Sequence, residues 1–248
     1  MEPRGIIKEN NSFPAFALQA KHYYCFYMRK LATEPGAFDL VCTQGWLYYR
    51  IHLTRLRTKP YAYFKNDLVH NHEITEQEFN HAKYHGGAGP YEDGEEVVYL
   101  PDGNTLRCFY QSSVVRLFSP DGTLLRSLPD TIEAFCGLYS IALDADGHLW
   151  TADPCYHQVA QYEVATGRQL FSLGGNWDPG EFDHPEDIGI YEEHAFISDM
   201  GHYRLVLLNT RTKRFSTYRT FEQPVWQYRR FQQHELVRLD DGIYILGV

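Results

Sequence analysis

From residue 95 onward, apolar positions come in paired short runs. "EEVVYLPDGNTLRCFY" is followed by "YSIALDADGHLWTAD", then "EDIGIYEEHAFISD", then "HELVRLDDGIYIL". Each pairs an apolar strand with a second strand rich in Leu, Trp, Phe, Ile and Tyr. The turns between them are expected at Asp102-Gly103, Asp146-Gly147, Glu193-His194 and Asp241-Gly242. Asp-Gly between alternating apolar runs is a strong hairpin signal, because both residues tolerate positive φ. The first three units continue into two more strand-like segments, as in "VVRLFSPDGTLLRSL", "QVAQYEVATGRQLFSL" and "RLVLLNTRTKRFSTY". Four antiparallel strands recurring at roughly 45 residues is the period of a β-propeller blade.

Within this array, "GGNWDPGEFDHPEDIGIYEEHAFISDMGHYRLVLL" resembles the NHL repeat. Gly180, Phe182, Pro185 and Asp199 match its glycine-rich lead-in, its Gly-x-Phe, its Pro before the first strand and its Asp closing the second. Arg204 and Leu205 match the opening of the third strand, and "SIALDADGHLWTADPCYHQVAQY" repeats the pattern with Asp153. The resemblance covers residues 135–221, is weaker over 95–134 and 233–248, and does not reach the first 90. It implies a propeller that presents a rigid face to protein partners, or to RNA in some members, and metal-dependent lyases are related to the family.

The last unit has only two strands before Val248, which would leave a half-built blade with an unpaired edge. "FALQAKHYYCFYMRKL", residues 16–31, is aromatic and β-prone enough to complete it. "FDLVCTQGWLYYRIHL" and "KPYAYFKNDLVH" would then form a further blade. The expected fold is an all-β propeller of five blades, the last closed by strands from both termini, in one domain over residues 1–248. The alternative is a separate small α+β domain over residues 1–90. One short helix is expected over 75–85. Thr75 and Glu78 form its capping box, Ile74 and Phe79 its hydrophobic staple, and Gly86-Gly87 its end. His81 and His85 lie one turn apart on it, but Glu78 is occupied by the cap, so no metal site is expected there.

Composition narrows the function classes. The hydrophobic fraction of 44% and charged fraction of 22% are those of a soluble globular chain, and no run approaches 18 apolar residues, so no membrane span is expected. A net charge of −9 disfavours nonspecific attraction to nucleic acid or anionic lipid. The cluster Arg211, Lys213, Arg214, Arg219, Arg229 and Arg230 reads as solvated edges and turns of late strands. Five cysteines without a CxxC fit reduced, buried thiols and a cytoplasmic location.

The candidate chemistry lies where each unit begins. Aligning the four units by their turns puts Glu96, Ser140, Asp187 and Glu235 at one position, preceded by Glu95, Tyr139, Glu186 and His234; Asp39 is a fifth candidate. In a propeller these positions converge on one mouth of the central channel. There the acids are expected to be solvated and mutually repelling, so that neutralising Asp187 and Glu235 raises stability. Glu96, Ser140, Glu186, Asp187, His234 and Glu235 are the candidate ligand-binding residues, for a cation, a basic side chain or a polar small molecule. No catalytic residue and no cofactor is assigned, since nucleophile elbow, phosphate loop and recurring His set are all missing. The reading is a non-enzymatic binding module for a protein partner, a basic one by charge, in an inhibitor or immunity-type role. The alternative is a metal-dependent propeller hydrolase or lyase with ligands at the channel mouth, from His184, Glu186, Asp187, His234 and Glu235.

Overall fold

The computed structural model describes residues 28–53, 61–85, 95–109, 114–128 and 137–247. Within them, five four-stranded antiparallel sheets stand in a ring as the blades of a propeller. Blade one holds β2 (Phe38–Thr43), β3 (Trp46–His52), β4 (Tyr61–Asn66) and β5 (Asn71–Ile74). Blade two holds β6 (Glu95–Tyr99), β7 (Thr105–Phe109), β8 (Val115–Phe118) and β9 (Leu124–Leu128). Blade three holds β10 (Ser140–Leu143), β11 (Leu149–Asp153), β12 (Gln158–Tyr162) and β13 (Gln169–Gly174). Blade four holds β14 (Pro185–Tyr191), β15 (His194–Asp199), β16 (Arg204–Asn209) and β17 (Phe215–Thr220). Blade five joins β18 (Val225–Phe231), β19 (His234–Leu239) and β20 (Gly242–Leu246) to the N-terminal β1 (Met28–Lys30).

The expected closure by both termini is present, with β1 pairing along β20 from Met28↔Leu246 to Lys30↔Tyr244. Its composition differs from the expectation. "HELVRL" is the second strand of blade five, and the innermost strand is β18, "VWQYRRF". The N-terminus therefore supplies one strand to this blade rather than two. The charges of β18 disguised it, because they read as a solvated edge. Residues 16–27 and Gly86-Gly87 lie outside the described residues.

Turn chemistry explains the register. In Leu100-Pro101-Asp102-Gly103-Asn104 the Gly103 N–H donates to the Leu100 carbonyl (3.0 Å), and the Leu100 N–H to the Asn104 carbonyl (2.9 Å). The same pair of bonds closes the turns at Ser119–Thr123 and Asp144–His148. Only the glycines are left-handed, with φ of 86° at Gly103, 84° at Gly122 and 80° at Gly147. Asp-Gly thus ends a type I turn with a glycine bulge, instead of filling a two-residue turn. The turn expected at Glu193-His194 lies one residue earlier: His194 already pairs with Tyr191, and Glu192 carries the left-handed φ of 57°. Likewise Leu239 pairs with Gly242, leaving Asp240-Asp241 as the turn.

The core lies between blades rather than in one centre, as face-to-face sheets require. Leu47, Tyr49 and Phe64 of blade one pack with Leu236, Ile243 and Ile245 of blade five. Trp150 and Val159 of blade three meet Phe182, Ile188 and Ile197 of blade four. Against blade one's other face lies the helix α1 (Glu76–Lys83), whose Phe79 and Ala82 pack on Tyr48 and Tyr63. Its capping box forms as expected, with Thr75 Oγ1 accepting from the Glu78 N–H (3.2 Å) and Glu78 Oε2 accepting from the Thr75 N–H (3.1 Å). Beyond it, the Tyr99 hydroxyl donates to the Tyr84 carbonyl (2.6 Å), tying the helix end to blade two.

Candidate functional site

The sheet registers place three of the four aligned residues at one level: Glu96 opposite Cys108, Ser140 opposite Ala152, and Asp187 opposite Ser198. An innermost strand presents a row of backbone groups with no further strand to pair them. Three side chains at this level supply that partner for the next blade around the ring. Ser140 Oγ accepts from the Ile188 N–H (3.2 Å) and Asp187 Oδ2 from the Tyr228 N–H (3.1 Å). Gln227 Oε1 accepts from the Leu40 N–H (3.2 Å). Blade five therefore puts Gln227, not Glu235, at the equivalent position, and Gln227 sits opposite Arg238.

Solvated acids at the mouth are not what the structure shows. Asp187 is only 2% exposed, and its charge is met by Arg229, whose Nη1 donates to both carboxylate oxygens (2.9 and 2.7 Å). The same guanidinium donates through Nε to the Leu40 carbonyl (3.3 Å), so one side chain joins blades four, five and one. Next in the ring, Asp39 receives Lys83 Nζ from α1 at 2.9 Å on each oxygen and pairs with Arg50 Nε at 3.0 Å. Burial would raise Asp39, but Lys83 and Arg50 hold it below the usual carboxylate range. Glu96 is raised, chiefly by burial, while Lys83 draws it the other way and Asp39 adds to the rise. Burial opposes the charge on Arg229, and Asp187 overcomes this to hold it strongly protonated.

Of these groups Asp39, Lys83, Glu96 and Arg229 line a cavity of about 260 Å³, together with Cys42, Tyr191 and Arg230. Its acids face bases of the same chain, so it is an internally neutralised tie and not an open ring of carboxylates. Burial pushes the Cys42 thiol up to about 12, which keeps it a poor nucleophile. Glu186 bulges beside Asp187, half-buried. Burial raises it to about 7 against the pull of His184 and Arg238.

His234 and Glu235 stand apart from the tie, on β19 at the opposite end of the channel from the strand openings. His234 is exposed beside a turn, and Glu235 accepts from the hydroxyls of Tyr228 (2.6 Å) and Tyr218 (2.9 Å). Sequence reasoning missed Gln227, Arg229 and Lys83. One signal for β18 was available: Pro224 precedes it as a Pro opens β14, at residue 185. The basic cluster is correspondingly split. Arg211 pairs with Glu193 in solvent, whereas Arg229 is drawn into the tie with a side chain only 19% exposed.

The face on which inner strands begin also carries the second- to third-strand turns and the links between blades. On it Trp177 is 68% exposed and meets Tyr156 edge-on at 5.1 Å. Tyr139 and Tyr203 are also large exposed aromatics, and Cys155 is an exposed thiol. The Gly137 backbone approaches Cys155 closely, so that a Cβ there would come within 2.7 Å of its Sγ. Asp178 and Glu181, which follow Trp177 closely in the chain, are exposed.

The fold and this tied channel define a five-bladed β-propeller. No protein-family model and no curated protein sequence matches the chain. Solved structures of similar fold include a streptogramin B lyase, with 11% identity, TM-score 0.46, and coverage of 85% of this chain and 65% of that one. Virginiamycin B lyase from Staphylococcus aureus is similar at 9% identity, TM-score 0.45, with 89% of this chain and 73% of that one covered. Saccharomyces cerevisiae Sqt1 is similar at 11% identity, TM-score 0.48, with 84% and 57% covered. Similarity at this level carries nothing about activity or partner.

Proposed function

We propose that the protein is a non-enzymatic binding module that uses the strand-opening face of blades three and four to hold a basic protein partner. The observation carrying this is the exposed Trp177, which meets Tyr156 edge-on and is followed in the chain by the exposed Asp178 and Glu181. Rigid exposed aromatics ringed by charge are how binding hot spots are built. The acidic balance of −9 steers a cationic partner toward such a surface and repels nucleic acid. The NHL-like residues Gly180, Phe182 and Asp199 support the reading, because they shape the link that displays Trp177. Phe182 is fully buried, and Asp199 accepts from the Asp183 N–H at 2.7 Å. The engagement of the channel acids by Arg229 and Lys83 weighs against the metal-dependent hydrolase or lyase with ligands at the channel mouth.

The test is affinity capture with wild type and Trp177→Ala in parallel, with bound proteins identified by mass spectrometry. A basic protein retained by wild type, released by moderate salt and lost with Trp177→Ala, is the expected result. The same proteins captured by both baits would count against this face.

A further inference from the structure

We propose that His157, Asp183 and His184 form a binding site for a divalent transition-metal ion of the zinc class, clipping blade three to blade four. The potential ligand atoms of the three residues lie within 4.8 Å of one another. His157 precedes β12 in blade three, while Asp183 and His184 lead into β14 of blade four, so the donors meet across a seam. His157 Nδ1 stands 3.5 Å from Asp183 Oδ1, close to the ligand-to-ligand span that tetrahedral bonds of about 2.0–2.1 Å produce. His184 Nδ1 is 2.7 Å from the same oxygen, and the two rings lie 4.7 Å apart and nearly perpendicular. Two imidazoles with one carboxylate suit zinc or cobalt better than calcium or magnesium. His184 is half-exposed, which leaves a further coordination position open to solvent.

The surroundings hold Asp183 in place. The Asp183 N–H donates to Asp199 Oδ1 (2.7 Å), and its carbonyl accepts from the Gly201 N–H (2.7 Å). A Cβ on Gly201 would lie 2.3 Å from Asp183 Oδ2, so any larger residue there would push that carboxylate out of place. Asp199 is itself anchored by Arg204 Nε (2.6 Å), so the aspartate's support is a hydrogen-bonded shell behind the ligands. Both histidines are left-handed, at φ 49° for His157 and 51° for His184, a conformation side chains seldom adopt outside turns and functional sites. The His184 N–H donates to His157 Nδ1 (3.1 Å), holding the tautomer that keeps a lone pair on that nitrogen. A metal bond at His157 Nδ1 breaks this hydrogen bond, so the His184 N–H must turn away to solvent as the ion enters.

A second cluster, Asp144, Asp146 and His148, does not offer the same opportunity. Asp144 Oδ1 already accepts from the N–H groups of Asp146 and His148, and Oδ2 from Trp150 Nε1 and Gln161 Nε2. That carboxylate is committed to its turn.

The proposal is independent of the partner reading and is tested with cobalt alone. Co²⁺ is added to the chelator-treated full chain and its visible absorption followed. The expected result is uptake of one ion per chain with a ligand-field band, displaced by Zn²⁺. Asp183→Asn and His184→Asn each weaken uptake by at least about tenfold, and Asn keeps the left-handed backbone at 184 accessible. His81→Ala, on α1, binds as wild type does. Absence of stoichiometric uptake by wild type overturns the proposal, as does full uptake by His184→Asn or its loss in His81→Ala.

Discussion

At the scale of single residues, the channel shows how a buried acid is made tolerable. Asp187 has a guanidinium, a hydroxyl and a backbone N–H around it, whereas Glu96 depends mainly on Lys83, whose short bonds go to Asp39. The charged groups facing Glu96 are Lys83 from α1, Asp39 from β2, Arg229 from β18 and Asp187 from β14. Because its folded pKa is raised above the ordinary 4.5, the folded state holds this proton longer than the unfolded chain does. Stability from this group is therefore present at low pH and lost as pH rises through the folded value. Glu96→Gln should raise the urea midpoint at pH 7, with the gain shrinking toward pH 4. A gain that grows on acidification would contradict the burial argument.

Among the elements, legibility followed the number of independent signals. The start of the helix was readable to within a residue because Thr75, Glu78 and the Ile74–Phe79 pair all specify it, whereas its end falls at Lys83, two residues before the expected 85. Thr75→Ala removes that box and should cost about 1 kcal/mol in chemical denaturation, with the β-sheet signal in circular dichroism unchanged. An unaltered midpoint would mean that packing of Phe79 alone sets the helix. The hairpins of blades two and three were readable from alternation and Asp-Gly turns, although only the glycine proved to be left-handed. β18 was not, because its polar residues serve the channel: Gln227 and Arg229 look inward where an apolar pattern would have betrayed a strand. The site suffered the same way. Glu96, Ser140 and Asp187 were correctly placed at one level, but their bases come from Arg229, in the strand misread, and from Lys83, on the helix. The seam formed by His157, Asp183 and His184 joins separate repeats, and no spacing within one repeat could reveal it.

For the whole molecule, five sheets whose cores lie mainly between neighbours need something to hold the ring shut. β1 closes the outer edge of blade five, and the chain of Ser140, Asp187, Gln227 and Arg229 links the inner strands from blade three through to blade one. On this view the polar residues opening the inner strands are fasteners between blades. The most direct test is a double-mutant cycle on Asp187→Ala and Arg229→Met, with unfolding free energies measured in urea. Asp187→Ala alone strands a buried guanidinium and should cost about 3–5 kcal/mol. The double variant should recover a large part of that loss, giving a strong favourable coupling between the two positions. If Asp187→Ala instead stabilises the protein, or the two effects simply add, the inner acids are not fasteners and this account of the channel is wrong.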